Sequence, residues 1–234
     1  MTTNYLLQKF GPSELYVESN ALFNEQNESI VSEDMNWINL TFKRFLDLFC
    51  AIGFMLVIGW WLFPIIAILI KLDSKGPVFF KQEREGIYNS RFNCYKFRSM
   101  VVNDEANVKM ATKNDPRITR VGKILRKTSL DELPQILNVI YGNMSIVGPR
   151  PHILVQNDAH SQEIDGFKNR HLVKPGITGL AQARGYRGET NASNSIYFRY
   201  KLDMYYIKTW NPRLDLKIIW MTAKSIITGH ENAF

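Results

Sequence analysis

An apolar run of 26 residues limits what this chain can fold into more than any other feature of its sequence. The run covers residues 45–70, FLDLFCAIGFMLVIGWWLFPIIAILI, and contains one charged residue, Asp47. About 20 apolar residues in a helix reach across the hydrocarbon core of a bilayer. Few helices of soluble proteins are apolar on every face over such a length. The run therefore predicts a membrane-inserted helix rather than a buried core helix.

The flanks of the run leave its path open between a re-entrant helix and a simple span. Lys43 and Arg44 precede the run and Lys71 follows it, so both ends are basic, and basic residues favour the cytoplasmic side. Pro64 removes a backbone donor inside the run and crowds the carbonyl four residues earlier. A helix broken at Pro64 could enter the membrane and return, whereas a simple span would place the N-terminal residues outside.

Charge is unevenly distributed over the 234 residues, whose formal net charge is +7. Residues 1–40 hold one basic and six acidic residues, while the rest of the chain holds 28 basic and 16 acidic residues. We interpret residues 1–40 as a polar, acidic N-terminal arm, 41–72 as the membrane helix and 73–234 as a basic body. Such a body suits an anionic partner, either a phosphorylated substrate, an anionic lipid or a nucleic acid.

Cysteine usage and the N-terminal sequence bear on the compartment. Cys50 lies inside the apolar run, so a disulfide with Cys94 is not expected, and a reducing, cytoplasmic setting fits better. Residues 1–20 are polar and lack the continuous apolar core of a signal peptide.

Beyond the apolar run, the patterns predict a mostly helical α+β fold with one small hairpin. Val78–Gln82 and Arg91–Phe97 are rich in β-forming residues and flank a turn-like segment, which predicts a β-hairpin. Residues 116–127 and Leu130–Tyr141 are predicted as helices, the second closed by Gly142. The segments GNMSIVGPRP and KPGITGLAQARGYRGET are predicted as loops because they are rich in glycine and proline.

Two C-terminal helices are predicted within residues 195–228, separated by Asn211 and Pro212. They carry Tyr, Trp, Lys and Arg side chains together, a combination enriched at membrane–water interfaces. An ordinary pair of core helices explains the same apolar residues equally well. The sequence leaves both interpretations open.

The adjacent acids Asp131 and Glu132, in TSLDELPQ, are the main candidates for chemistry. An ionised aspartate can attack phosphorus to form an acyl phosphate, provided that cations offset its repulsion from the phosphate. Five basic residues precede the pair closely. A helix cap is the alternative, because Ser129 and Glu132 match a capping box, although Pro134 fits better if the helix begins near Asp131.

Six motifs occur in a fixed order between Thr41 and Thr228. They are KRFLD, GPVFFKQEREG, YKFRSM, DPRITRVGKILRKTSLDELPQILNVIYGNMSIVGPRP, VKPGITGLAQARGYRGET and KLDMYYIKTW. One of them would be a weak signal. All six in this order make the chain resemble the bacterial sugar transferase family, the monotopic polyprenyl-phosphate phosphoglycosyl transferases.

The resemblance implies a Mg²⁺-dependent enzyme at the cytoplasmic face of the bacterial inner membrane. Such enzymes transfer a sugar-1-phosphate from a UDP-sugar to undecaprenyl phosphate and release UMP, as the first membrane step of exopolysaccharide, O-antigen, capsule or glycoprotein glycan assembly. The implied mechanism is ping-pong: Asp131 becomes a covalent phosphosugar-aspartate and Glu132 supports it, with both acids as metal ligands. Residues 73–234 then form the catalytic domain, with its C-terminal helices at the interface of the bilayer and with no nucleic-acid partner; a homodimer is compatible with this interpretation.

The resemblance also assigns the helix break and a set of substrate-binding arginines. The re-entrant helix of the family breaks at a proline that matches Pro64, often after a serine, where this chain has Phe63. The arginines expected at the substrate are Arg98, Arg126, Arg150 and Arg187. A surface arginine in a structural turn is the alternative for Arg150, and a loop arginine for Arg187. The motif RGET resembles hexose-1-phosphate members, especially those of the glucose type.

A non-enzymatic membrane adaptor is the competing interpretation. Such a protein would bind anionic lipid or nucleic acid through its basic body and would need neither acid. Asp131→Asn would leave its function intact, whereas the same change would abolish turnover by an enzyme of this family.

Overall fold

The apolar run forms one long helical element near the start of the described chain. The computed structural model describes residues 31–103, 115–186 and 193–228, without the side chains of 193–195 and 226–228. Helix α1 spans Trp37–Phe54, a π-helical turn follows at Met55–Gly59, and helix α2 spans Trp60–Asp73. By length and composition this element could cross a membrane, and only 11% of its most apolar window is buried inside the protein. Because a core helix would be mostly buried, this exposure favours the membrane-inserted interpretation.

The irregular turn of this element lies before Pro64 rather than at it. Helix α2 continues through Pro64, and the backbone N–H of Trp60 donates to the carbonyl of Met55 in a π-type hydrogen bond. Prolines and π turns both bend helices, because each disturbs the regular hydrogen-bond ladder. The helix therefore continues through Pro64, where the sequence predicts a break. The re-entrant path stays a prediction.

A β-hairpin follows α2, as predicted. Strand β1, Phe79–Glu85, pairs antiparallel with strand β2, Arg91–Phe97, in a register that places Phe79 opposite Phe97. A 3-10 turn at Ile87–Asn89 joins the strands. The hairpin thus begins beside the end of the apolar element, and Phe97 packs edge-to-face against Phe63 of that element.

Helix α3, Arg120–Lys127, begins later than the predicted residue 116. Thr119 caps it, because its hydroxyl accepts from the backbone N–H of Gly122 at 3.0 Å. A Cβ at Gly122 would lie 1.9 Å from the carbonyl oxygen of Ser99, so glycine allows α3 to press directly on the chain that leaves β2.

Helix α4, Gln135–Ile140, connects the acid pair to the hairpin. Its buried Asn138 accepts from the backbone N–H of Tyr95 at 2.9 Å and donates to the carbonyl of Asn93 at 2.7 Å. Gly142 follows the helix with a φ of 87°, the left-handed conformation that the predicted glycine stop requires. One amide therefore satisfies the open edge of β2 and fixes α4 against it.

The two segments predicted as loops contain a second small sheet. Strand β3, Ser145–Val147, pairs in parallel with β4, Gly176–Thr178. The loop prediction was wrong here because Gly148 and Gly176 permit close backbone approach: a Cβ at Gly176 would lie 2.1 Å from the nitrogen of Gly148. Helix α5, a 3-10 helix and α6 accompany this sheet, over Leu154–Glu163, Phe167–Leu172 and Leu180–Ala183.

The predicted pair of C-terminal helices is confirmed as α7, Ser193–Thr209, and α8, Pro212–Thr228. One side of the pair is core, and it contributes the buried side chains of Tyr206, Ile207, Trp210 and Ile218. The other side exposes large apolar side chains: Tyr197, Phe198, Tyr205, Leu216 and Trp220. The core interpretation thus holds for one side of the pair, and the membrane-interface interpretation stays a prediction for the other.

The first half of the apolar element is fixed to the body by polar side chains. Arg44 donates to the carbonyls of Val139 and Ile140, at the end of α4, at 2.6 and 3.0 Å. Asp47 is buried and accepts from the hydroxyl of Ser145 at 3.0 Å.

The second half is fixed to the same body at its other end. The carboxylate of Asp73 accepts from the backbone N–H of Val121, in α3, at 2.9 Å. The buried guanidinium of Arg98 donates to three carbonyls at the end of α2, those of Ile70, Ser74 and Lys75. Both ends of the apolar element therefore contact one body.

Candidate active site

The acid pair lies in a 3-10 turn, Leu130–Glu132, between α3 and α4. Ser129 precedes this turn with a φ of 56°, in the left-handed region where residues other than glycine are uncommon. No side chain caps the turn, and Pro134 immediately precedes α4 without capping it. The capping interpretation is therefore wrong for Ser129, and the carboxylate of Glu132 is used elsewhere.

Glu132 is held between two cations. Its Oε1 lies 2.7 Å from Nζ of Lys96, and Arg150 approaches in a bidentate arrangement, with contacts of 2.5 Å to Oε1 and 3.0 Å to Oε2. Although burial opposes its ionisation, the charges of Arg150 and Lys96 hold the pKa of Glu132 well below its usual value. Glu132 is thus an anion at neutral pH, and it fixes two cations beside its neighbour Asp131.

Asp131 has the opposite environment. Its side chain is buried, with 8% exposed, and within the described residues it forms no hydrogen bond or salt bridge. Burial raises the pKa of Asp131 to about 6, the charge of Lys96 opposes this shift, and the negative charge of Glu132 adds to it. Near neutral pH most of the molecules therefore carry an ionised, unpartnered carboxylate, which is the state that a nucleophile needs.

The surroundings of the pair carry more positive than negative charge. The nearby cations are Lys96, Arg84, Arg126, Arg150, Arg170 and Arg199, and the nearby acids are Asp131, Glu132 and Asp203. Burial, together with the charges of Arg150 and Arg170, lowers the pKa of Arg199 to about 10. A dianionic or trianionic ligand such as a diphosphate would relieve this excess.

A buried ion pair between Arg170 and Asp203 holds the backbone beside the acid pair. Arg170 lies 2.7 Å from the carboxylate of Asp203, and both side chains are almost fully buried. The same guanidinium donates to the backbone carbonyl of Arg150 at 2.7 Å and contacts Nδ1 of His152 at 2.9 Å. Arg170 thus fixes the backbone from which Arg150 reaches Glu132.

The structure brings some of the predicted arginines to the acid pair and not others. Arg150 contacts Glu132 directly, and Arg126 adds its charge near Asp131 while its Nε donates to the hydroxyl of Ser99 at 2.9 Å. Arg98 instead holds the carbonyls at the end of α2, as described above, and makes no contact with either acid. Arg187 lies outside the described residues.

Lys96 is the site residue that sequence reasoning missed. It belongs to β2, where alternate side chains share a face, so it follows the buried Phe92 and Cys94 on the inward side. A lysine on the buried face of a strand requires an anionic partner. That alternation was the available signal, but the partner comes from a turn 36 residues away.

The site fits a Mg²⁺ ion only in part. In the described residues no cluster of three His, Cys, Asp or Glu side chains forms a metal site. Mg²⁺ is commonly held by one or two carboxylates together with phosphate oxygens of the substrate. The unpartnered carboxylate of Asp131 fits such a role, whereas both oxygens of Glu132 are taken by Lys96 and Arg150.

Comparison with known proteins places the chain in a family. The family model for bacterial sugar transferases matches residues 38–229. The UDP-glucose:undecaprenyl-phosphate glucose-1-phosphate transferase of Klebsiella pneumoniae is 48% identical over 190 residues, which cover 81% of this chain and 41% of that protein. The undecaprenyl-phosphate galactose phosphotransferase of Salmonella typhimurium is 37% identical, over 79% of this chain and 40% of its own length.

A shorter relative matches along nearly its whole length. The exopolysaccharide production protein PSS of Rhizobium leguminosarum bv. phaseoli is 43% identical, over 82% of this chain and 98% of that protein. The chain thus spans about two fifths of the first two relatives and almost all of the third. The resemblance inferred from the six motifs is confirmed, and the chain belongs to the bacterial sugar transferase family.

Proposed function

We propose that the chain transfers a sugar-1-phosphate from a UDP-sugar to undecaprenyl phosphate by way of Asp131. The observation that carries the proposal is the buried, unpartnered carboxylate of Asp131 beside a glutamate that holds two cations. An anionic nucleophile and an anionic phosphate meet only where cations offset their repulsion. Lys96 and Arg150 supply that positive charge without neutralising Asp131.

The first half-reaction forms a covalent intermediate. A carboxylate oxygen of Asp131 attacks the phosphorus that bears the sugar, and an acyl phosphate bond forms. The bond between this phosphorus and the bridging oxygen breaks, and UMP leaves with that oxygen and the electron pair. Lys96 and Arg150 lie where they can stabilise charge on the phosphoryl oxygens.

The second half-reaction returns the enzyme to its starting state. A phosphate oxygen of undecaprenyl phosphate attacks the same phosphorus and forms the diphosphate of the lipid-linked sugar. The bond from phosphorus to Asp131 breaks, and the carboxylate is restored. UMP leaves before the lipid reacts, so the kinetics are ping-pong.

A Mg²⁺ ion would be held by Asp131 together with phosphate oxygens of the donor. When bound, it supplies Lewis-acid stabilisation of the charge on the transferred phosphoryl group. Glu132 contributes differently, because its ion pairs keep Lys96 and Arg150 in place beside Asp131.

The donor class follows from the relatives, whose names specify glucose and galactose phosphates. We assign a hexose-1-phosphate as the transferred group, with UDP-glucose as the first donor to test. The motif RGET at residues 187–190, which resembles that of hexose-1-phosphate members, also supports this donor class. These residues lie outside the described part of the chain.

The contacts of the apolar element support a re-entrant path. A straight helix from Asp47 to Asp73 would be about 39 Å long and would place its ends on opposite sides of a hydrocarbon core about 30 Å thick. Yet Asp47 contacts Ser145 and Asp73 contacts Val121 in one body. A bend near the π turn and Pro64 would bring both ends to the same side, which we assign to the cytoplasmic face of the inner membrane, where UDP-sugars are made.

A donor screen tests the activity. The purified protein in lipid discs is incubated with undecaprenyl phosphate and radiolabelled UDP-sugars, and labelled lipid and UMP are measured together. We expect stoichiometric formation of both from at least one UDP-hexose. If the folded protein forms neither from any common UDP-sugar, the proposal fails.

The adaptor hypothesis is tested by Asp131→Asn. An amide is a poor nucleophile, so turnover should fall by at least about a thousandfold under the enzyme hypothesis. Full retention of biological function by this variant would favour the adaptor instead.

A further inference from the structure

One basic cluster lies outside the ion pairs of Glu132. Arg120, Lys123 and Lys127 recur at helical spacing on α3, and all three side chains are exposed. Arg126, from the same helix, is the member that turns towards Asp131. The exposed face of α3 therefore needs an explanation apart from the chemistry at Asp131.

This face lies beside the point where the apolar element ends. The carboxylate of Asp73 accepts from the backbone N–H of Val121, which fixes the first turn of α3 to the last turn of α2. Lys71 and Lys75 flank Asp73 in sequence and are also exposed. We use the name basic collar for these five residues: Lys71, Lys75, Arg120, Lys123 and Lys127.

Large apolar side chains are exposed among the collar residues. Leu72 is 80% exposed, Val102 is 66% exposed and Ile124 is 62% exposed. Val102 lies near the end of α2, because a Cβ at Gly76 would lie 2.7 Å from its side chain. Exposed apolar groups between lysines and arginines are typical of surfaces that meet the headgroup region of a bilayer.

Within the described part of the chain, the basic collar carries more positive charge than the adjoining Asp73 can balance. None of the five collar residues forms a salt bridge there. Asp73, which adjoins the collar, accepts hydrogen bonds from Thr119 and Val121, and its carboxylate also interacts with the charge of Arg120. A positive surface at the foot of a membrane helix attracts anionic lipid, with about a fivefold preference for each lysine or arginine near the surface.

We infer that the basic collar binds the headgroups of anionic phospholipids and holds the α3 face of the body against the membrane. The inference rests on the proposed membrane placement of the apolar element, and it adds a second, lipid-selective contact to that anchor. A nucleic acid would meet the charges equally well, but the three exposed apolar side chains and the adjoining membrane helix match a bilayer surface.

A fluorescent probe at Ile124 tests the inference without requiring turnover. The full chain carries Cys50→Ser and Ile124→Cys, and the thiol is labelled with an environment-sensitive dye. The protein is placed in discs of phosphatidylcholine, alone or with phosphatidylglycerol, that contain a headgroup spin label as quencher. We expect quenching to be several times stronger in the discs with phosphatidylglycerol.

Charge reversal on and off the collar supplies the control. Lys123→Glu with Lys127→Glu should abolish the difference between the two lipids. Arg91→Glu with Lys168→Glu makes the same change of charge at exposed positions near the far end of the hairpin, about 20 Å from its beginning at Phe79. This control pair should preserve the difference between the two lipids. Thermal melts of all variants should agree closely, because the four side chains are exposed and the ion pair that Lys168 forms with Asp158 lies on the surface.

Three outcomes would overturn the inference. The first is equal quenching in the two lipids. The second is an equal loss of the difference in quenching in both double variants, which would indicate that net charge, rather than the collar, determines the preference for anionic lipid. The third is release of the probe from the membrane by a short oligonucleotide at physiological salt, which would indicate a general polyanion surface. Each readout is independent of sugar transfer, so failure of the proposed enzymatic function would leave the test valid.

Discussion

Two neighbouring carboxylates in this protein have opposite electrostatic environments. Glu132 gains two cations in close contact, whereas Asp131 is buried without a hydrogen-bond partner among the described residues. Groups that act as a pair in catalysis often have environments that separate their pKa values. The unequal roles proposed for the two acids therefore have a physical basis: the carboxylate of Asp131 has no partner among the described residues, and that of Glu132 is held by two cations.

The raised pKa of Asp131 predicts that this residue costs stability at neutral pH. Its pKa is about 6 in the folded protein against an ordinary 3.8, so the folded state binds more protons between these values and stability falls as pH rises through them. Asp131→Asn should therefore stabilise the fold at pH 7.5 by on the order of 2–3 kcal/mol. Thermal melts at pH 7.5 and below pH 4 check this, because the difference should disappear at the lower pH.

Glu132→Gln should have the opposite effect. Removing the charge leaves the half-buried Lys96 and Arg150 without their partner, which costs on the order of 1–3 kcal/mol. The loss should be large at neutral pH and should shrink as pH falls through the low pKa of Glu132. A Gln variant that melts at the temperature of the parent protein at pH 7.5 would show that these ion pairs do not stabilise the fold.

Packing between elements sets the position of the acid-pair turn. Helix α3 lies directly on the chain after β2 because Gly122 has no side chain, and Arg126 of that helix bonds to Ser99. The hairpin could be predicted from β-forming residues on both sides of a turn-like segment, and the C-terminal helices from the break at Asn211 and Pro212. The β3–β4 pair could not, because strands of three residues carry too little pattern and depend on contacts between distant segments.

Gly122→Ala tests this packing. The added methyl group would meet the carbonyl of Ser99, so α3 must move, and we expect a loss of on the order of 1–3 kcal/mol. Transfer activity should also fall, because Arg126 moves with the helix. Gly53→Ala is the matched control, since a Cβ there has nothing within 4 Å and alanine favours helix. Equal melting temperatures for the two variants would contradict the close contact.

At the scale of the whole molecule, sequence patterns predicted which residues lie near the acid pair better than they predicted which side chains contact each other. Arg150, which the motifs place at the substrate, contacts Glu132, and its role at the substrate stays a prediction. Sequence reasoning missed Lys96 and placed Arg98 at the substrate, because a sequence does not show which group a cationic side chain contacts in the fold. Arg98 donates to carbonyls at the end of α2, and Lys96 donates to the carboxylate of Glu132 in a turn that is distant in sequence.

The re-entrant path predicts that both ends of the apolar element face the cytoplasm. Glu33→Cys and Lys75→Cys place thiols at exposed positions on the two sides of this element, in a Cys50→Ser background. Neither thiol should react with an impermeant maleimide in intact cells, and both should react after the membrane is permeabilised. Labelling of only one thiol in intact cells would indicate a simple span.

The most direct test of the account is the mass of the protein after reaction with donor in the absence of lipid acceptor. With UDP-glucose, or with whichever UDP-hexose the donor screen identifies, Asp131 should gain one hexose-phosphate group. Fragmentation should place the added mass on the peptide that contains Asp131, and undecaprenyl phosphate should remove it. Asp131→Asn should show no gain. Turnover by the parent protein without any added mass at Asp131, or an equal gain in the Asn variant, would contradict the account.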